Sequence, residues 1–288
     1  MRTNKKKCLV AGGMVLAAVT VAFAAFFQGF ETDTNGWTGA TRVSSGTHLV
    51  ITKPPGAFHA EDLNGADLTF TQWGGYGKTF PPLGYTTSVD IYLDISPPYG
   101  SVMTVMPYPN DTRFDWSSAV NTPGCSHRRD FVFNAGFYND TDATGTGPRF
   151  VINAGNNATR SGAFPKNSGS FSITMTGWYT FEHHFYKIAG GVLAVDLRIT
   201  ALDGTVLKTW TLSDATDIIG TTVGGHRYGW LVIQEFPILA IDNVSLLSVN
   251  QAGDVSACKS DGWRQLTRAD GSIFTNQGDC IQYVNTGK

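Results

Sequence analysis

Three strand-length segments follow one another between residues 179 and 212 with almost nothing between them. They are Tyr179–Ile188, Val192–Thr200 and Thr205–Leu212, joined by Gly190-Gly191 and by Asp203-Gly204. Two-residue glycine turns supply the positive φ values that a tight hairpin needs. Strands joined in this way run antiparallel, because a parallel pair needs a long crossover. The same alternation of apolar and polar residues recurs at Ser88–Ile95, Ser170–Met175, Tyr228–Gln234 and Ile238–Leu247, and short apolar runs stand at 131–133 and 149–152. No segment after the first two dozen residues shows a convincing helical period. An antiparallel sheet must bury one of its faces, and without helices only a second sheet can cover it. The expectation is an all-β, antiparallel two-sheet β-sandwich of jelly-roll type over residues 25–249. The 33 glycines and 12% aromatic residues suit turns and packed strand faces.

The first residues set the compartment. Arg2, Lys5, Lys6 and Lys7 precede an uncharged apolar run from Cys8 to Phe23, and Ala22-Phe23-Ala24 places small residues at the positions a signal peptidase reads. Residues 1–24 therefore read as a cleaved signal peptide, the run being short for a membrane span. The protein is expected outside the cell or at its surface, with no stable membrane span after cleavage. A net charge of −2 with no basic stripe excludes the usual electrostatics of nucleic-acid binding.

In an oxidising compartment two of the three remaining cysteines should pair. Cys258 and Cys280 bracket one compact segment and form the natural couple, leaving Cys125 over. Residues 250–257 read as a polar linker, and 258–288 as a disulfide-closed tail too short to build a core alone.

Chemistry is sparsely signalled. Glycoside hydrolysis needs paired carboxylates, yet Glu31, Glu61, Glu182 and Glu235 stand apart from one another. His183 and His184 are neighbours on a strand and point to opposite faces, so they cannot share a metal ion. No Gly-x-Ser-x-Gly elbow is present. Two stretches, Pro107–Arg129 and Asn139–Pro148, read as long loops. Sugar recognition needs flat aromatic faces flanked by amide and carboxylate groups. The candidates are Trp73 and Tyr76 in the Gln72–Gly77 segment, Trp116 beside Asp115 and Arg113, and Tyr138 before Asn139. Trp73 leads, because flanking glycines should leave its ring uncovered.

The two ends of the sandwich carry a resemblance. Gly29-Phe-Glu-Thr-Asp-Thr-Asn-Gly-Trp37 opens it and Ala240-Ile-Asp-Asn-Val-Ser-Leu246 closes it. The pair resembles jelly-roll carbohydrate-binding modules and concanavalin A-like lectin-type sandwiches, which open with Phe-Glu…Gly-Trp and close with Ile-Asp-Asp/Asn-Val-x-Leu. In that family the first and last strands lie side by side, and a Glu and an Asp meet at a structural calcium ion. The resemblance therefore implies calcium ligands at Glu31 and Asp242, with Asp33 helping to complete the oxygen set. A looser likeness joins His184, Tyr186, Asp196 and Arg198 to the alginate-lyase jelly rolls, which use Arg, Gln, His and Tyr. Cys258-Lys-Ser-Asp-Gly-Trp…Phe274-Thr-Asn-Gln-Gly-Asp-Cys280 resembles a C-terminal segment carried by many exported bacterial proteins.

The function read from the sequence is a secreted or surface-exposed, non-catalytic, carbohydrate-binding β-sandwich with a glycan partner. The alternatives are a polysaccharide-degrading hydrolase or lyase on the same fold, and a structural or adhesive envelope protein.

Overall fold

A computed structural model describes residues 24–52, 56–63, 69–96, 112–121, 128–156, 169–234, 236, 238–248, 250–251, 255, 258–259, 263, 266–268 and 274–287. The leader segment, Cys125 and Glu235 lie outside the described residues.

The strands are β1 (Ala24–Gln28), β2 (Trp37–Thr38), β3 (Thr41–Ser44), β4 (Phe58–Leu63), β5 (Thr69–Thr71), β6 (Tyr85–Leu93) and β7 (Arg113–Asn121). Then follow β8 (Arg128–Tyr138), β9 (Thr141–Asp142), β10 (Gly145–Thr146), β11 (Arg149–Asn156), β12 (Phe171–Ile173) and β13 (Gly177–Lys187). Last come β14 (Val192–Ala201), β15 (Val206–Ile218), β16 (His226–Gln234), β17 (Ile238–Ser248), β18 (Asn250–Gln251), β19 (Leu266–Thr267) and one helix, α1 (Gln277–Thr286). An eight-stranded antiparallel sheet has the order β15-β14-β13-β6-β17-β4-β3, with β1 also on β17. A seven-stranded antiparallel sheet has the order β12-β11-β8-β7-β16-β5-β2.

The alternation in the sequence decides which face each sheet buries. Tyr179, Phe181, His183 and Phe185 of β13, and Val195, Leu197 and Ile199 of β14, point inward from one sheet. Phe131, Phe133, Ala135 and Phe137 of β8, with Phe114 and Trp116 of β7, meet them from the other. The aromatic rings interlock edge to face, as in Phe133–Phe181 with centroids 5.1 Å apart and Phe131–Phe185 at 5.6 Å.

The hairpins form where the glycine turns demand them. Gly190 and Gly191 both take left-handed backbone angles, φ 76° and 77°, and Ile188 N–H closes on Val192 O at 2.9 Å. The two chain ends of the sandwich also meet as the resemblance implied: β1 runs antiparallel to β17, with Phe27 opposite Ser245 and Gln28 opposite Val244.

Two expectations need correcting. The stretch from Pro107 to Arg129 is not one long loop, because β7 occupies Arg113–Asn121 and β8 begins at Arg128. The tail is closed by its disulfide as expected, but it also holds a helix where no helical period was read, α1 spanning Gln277–Thr286. Asn276 caps that helix by accepting the Asp279 N–H, and Gly287 ends it at φ 71°. Cys258 and Cys280 are bonded, Cα atoms 5.8 Å apart, and pack with Leu266 and Phe274 as a small core of their own.

Candidate functional site

Strands β7, β8, β11 and β16 lie side by side, and register sets what their outer faces share. Asp115 of β7 lies opposite Asn134 of β8, and Asn134 opposite Asn153 of β11. On the other side of Asp115 lies Val232 of β16. Their chain neighbours Phe114, Trp116, Phe133, Ala135, Ile152, Leu231 and Ile233 fill the core, so these four side chains project away from it. The Asn134 amide donates to Asp115 Oδ1 at 2.6 Å, which fixes both groups side by side. Asp115, Asn134 and Asn153 are all half-buried. The lane thus presents one carboxylate and two amides, whose paired acceptors and donors match vicinal hydroxyls.

The next row belongs to rings. Trp230 of β16 lies opposite Ser117 on one side and Phe70 of β5 on the other. Tyr228, two residues from Trp230 on the same face, has its ring centroid 5.0 Å from the indole. Tyr76 extends this ladder, 6.4 Å from Tyr228, and is 44% exposed. The Arg227 guanidinium sits over both tyrosines, at 5.7 Å and 5.4 Å. A crevice of about 380 Å³ between Gly36–Thr38 and Gln72–Gly75 ends the row beside Phe70.

Of the four aromatic candidates, only Tyr76 offers its ring. Trp73 is 2% exposed, packed edge-on against Phe26 and Trp116, each 6.1 Å away. Its backbone is left-handed, φ 56°, and is followed by Gly74 and Gly75 at φ 78° and 139°. The glycines that suggested an uncovered ring serve instead to turn the chain so that the indole enters the core. Trp116 is fully buried for the plain reason that it is an inward position of β7, not part of a loop. Tyr138, at the end of β8, is buried too, and burial raises its phenol pKa. The residues that the sequence reading passed over are Asn134, Asn153 and Tyr228; Trp230 reads as packing and is only 4% exposed.

Each of the carboxylates singled out for calcium accepts hydrogen bonds from the protein itself. Glu31 receives the Ala57 N–H on both oxygens, at 3.1 and 3.0 Å. Asp33 accepts from Gln28 Nε2, Asn35 N–H and Asn35 Nδ2, and these hydrogen bonds, the backbone one foremost, lower its pKa. Asp242 is buried and accepts from the Asn243 N–H at 2.7 Å. Among the described residues no three His, Cys, Asp or Glu side chains come together in a way that could hold a metal. We expect the melting temperature of the purified protein to be the same with and without a calcium chelator; a lower value with chelator would restore the ion.

The lyase-like residues lie on the outer face of the other sheet. His184 and Tyr186 do share one side of β13, their rings stacked 5.0 Å apart, and Arg198 pairs with Glu182 at 3.0 Å. The Tyr186 hydroxyl donates to Asp196 Oδ1 at 3.2 Å, and Thr211 donates to the same oxygen at 2.7 Å. Burial and then the Asp196 charge push the Tyr186 phenol up, which disfavours the phenolate an elimination base must become.

No protein family's sequence model matches the chain, and no curated protein matches it. Among solved structures, an alginate lyase of the PL-14 class from Aplysia kurodai is similar at 8% identity and a TM-score of 0.44, covering 79% of this chain and 100% of the lyase. A carbohydrate esterase from the Shiga toxin-encoding bacteriophage phi24B is similar at 12% identity and a TM-score of 0.43, covering 80% and 100%. A protein of unknown function with a galectin-like fold from Bacillus subtilis is similar at 8% identity and a TM-score of 0.39, covering 78% and 96%. These likenesses concern the arrangement of strands, and no role of a residue here is taken from them. No helix among the described residues is long and apolar enough to cross a membrane.

Proposed function

We propose that the chain binds carbohydrate on the outer face of the seven-stranded sheet and carries out no chemistry on it. The observation that supports this reading is the in-register lane of Asp115, Asn134 and Asn153, beside an aromatic row in which Tyr228 is half-buried and Tyr76 exposed. Amides and a carboxylate suit hydroxyls, and exposed rings suit the apolar faces of pyranoses. The Cys258–Cys280 bond suits work in an oxidising compartment outside the cytosol.

Hydrolysis is disfavoured by spacing. The seven strands of this sheet carry only two acids, Asp115 and Asp130. Asp130 lies opposite Ala119, four residues along β7 from Asp115, or about 13 Å at the usual strand rise. That separation exceeds both the retaining range of ~5–5.5 Å and the inverting range of ~6.5–9.5 Å.

Titration calorimetry against a panel of neutral, amino and uronate oligosaccharides tests the reading. Asn134→Ala and Tyr76→Ala should each weaken binding by about 5- to 30-fold, the equivalent of one or two kcal/mol. Neither reducing ends nor unsaturated uronates should accumulate. Binding by no member of the panel would leave an adhesive or structural envelope role; product release would favour an enzyme.

A further inference from the structure

The two sheets part at one end of the sandwich. The segment Thr174–Thr176 carries the chain from the edge strand β12 of one sheet to β13 of the other, beside the turn between β14 and β15. A crevice of about 450 Å³ opens there, between Phe171, Ile173, Met175, Trp178, Tyr179 and Leu207. Its size lies within the range of small-molecule sites. It leads toward the core, since Ile173 and Tyr179 belong to the main apolar cluster and Phe171 and Leu207 pack against it.

Its mouth is unusually apolar for a surface. Met175 is 70% exposed and Leu202 55% exposed, and Val206 stands exposed in the same turn. Of the four side-chain hydroxyls that line it, all but that of Thr174 at the rim already donate within the protein. Ser172 Oγ donates to Thr144 O at 2.6 Å, Thr176 Oγ1 to Asp94 Oδ1 at 3.1 Å, and Tyr179 OH to Met175 O at 2.8 Å. A sugar would recover few hydrogen bonds there for the hydration it gives up, whereas an alkyl chain gives up none.

Charge narrows the guest further. Asp203 lines the mouth, and no basic side chain lines the crevice. The Thr205 N–H, 2.9 Å from Asp203 Oδ1, holds that carboxyl below its ordinary range, so it is ionised at neutral pH. Asp94 stands close by through Thr176. We propose that this crevice binds the alkyl chain of an uncharged or cationic amphiphile, with the head group facing Asp203. The flexible Met175 side chain suits it as an adaptable rim.

This site lies apart from the sugar lane and does not depend on it. The test uses the purified chain and the neutral probe N-phenyl-1-naphthylamine, read by its fluorescence and by quenching of the Trp178 contribution. Saturable binding is expected, with displacement by decanol and decyltrimethylammonium below their aggregation limits. Decanoate should displace roughly five- to ten-fold less well, the size of a near-surface charge repulsion. Ala201→Trp, which fills the crevice, should abolish probe binding while retaining the wild-type thermal transition. Asp203→Lys, in an exposed turn, should reverse the order of decanoate and decyltrimethylammonium even if the filled variant folds poorly. Absence of probe binding, binding indifferent to a folded Ala201→Trp, or an order indifferent to Asp203→Lys would each overturn the proposal.

Discussion

Acidification from pH 6.5 to pH 4 should remove about 3 kcal/mol of folding stability through His183 alone, the cost of holding a histidine neutral over that interval. His183 points inward from β13 and is fully buried. Its Nε2 lies 3.0 Å from the Phe131 carbonyl and donates to it, while Nδ1 has no partner. A proton on Nδ1 would sit between Phe133, 4.9 Å away, and Trp116, 6.3 Å away, with no acceptor. Burial therefore lowers the pKa from 6.5 to about 3, against a small opposing pull from the Phe131 carbonyl. The sign is fixed by this direction. Below pH 6.5 the unfolded chain takes up a proton that the folded chain refuses, so stability is complete above 6.5 and falls until the folded value near 3 is reached. His59 and His226 are lowered by burial as well and add to the same slope. Denaturant melts at pH 8, 6, 5 and 4 provide the check, with His183→Phe as the control. The variant should lose much of the slope even if it is less stable at pH 8; an unchanged slope would place the acid sensitivity elsewhere.

Trp116→Ala should cost about 3–5 kcal/mol, the usual range for emptying a large aromatic site, and lower the melting temperature by roughly 6–20 °C in a chain of this size. The indole is fully buried where the two sheets meet, stacked 6.1 Å from Trp37 and edge-on to Trp73 at the same distance. Room for both indoles comes from β16, where Gly229 lies beneath them. A Cβ there would stand 2.5 Å from Trp73 Cζ2 and 2.8 Å from Trp116 Cη2. Gly229→Ala should consequently destabilise by ~1–3 kcal/mol through overpacking. Trp73→Phe removes the nearest of the atoms it strikes and leaves only the Trp116 contact, so the double variant should be more stable than the sum of the two single losses predicts. Strict additivity would show that the clash is relieved by backbone movement instead.

How much of this was legible in the sequence varied by segment for physical reasons. Strands β13, β14, β16 and β17 were readable almost to the residue, because most of their inward positions are large and apolar and the turns on either side of β14 carry glycine. Strand β7 was missed because its inward positions are Phe114, Trp116 and then Ser118, a hydroxyl that breaks the apolar alternation. Ser118 is tolerated only because Thr87 of the facing sheet donates to it at 2.9 Å, a partner 31 residues away. Helix α1 is ten residues long, shorter than an isolated helix sustains in water. The bond from Cys280 to Cys258 and the packing against Phe274 hold it, and neither is a local signal. The candidate site was least legible. Asp115, Asn134 and Asn153 come from three strands, and only their register makes them neighbours. Trp73 misled for a local reason: glycines beside an aromatic residue read as exposure, whereas here they allow a reversal that drives the ring inward.

The pairing of β1 with β17 has a bearing on how the chain must be made. Strand β17 lies between β6 and β4 and also carries β1 beside its second half. The eight-stranded sheet thus lacks one of its interior members until residue 248 has been synthesised. A nascent chain on the ribosome has every other strand of that sheet and still has no way to close it. Final assembly therefore waits on contacts between segments more than two hundred residues apart, which makes it slow. Such a polypeptide stays threadable for as long as its last strand is missing, and a truncation just before residue 238 should be recovered as an insoluble or protease-sensitive product rather than as a smaller folded body.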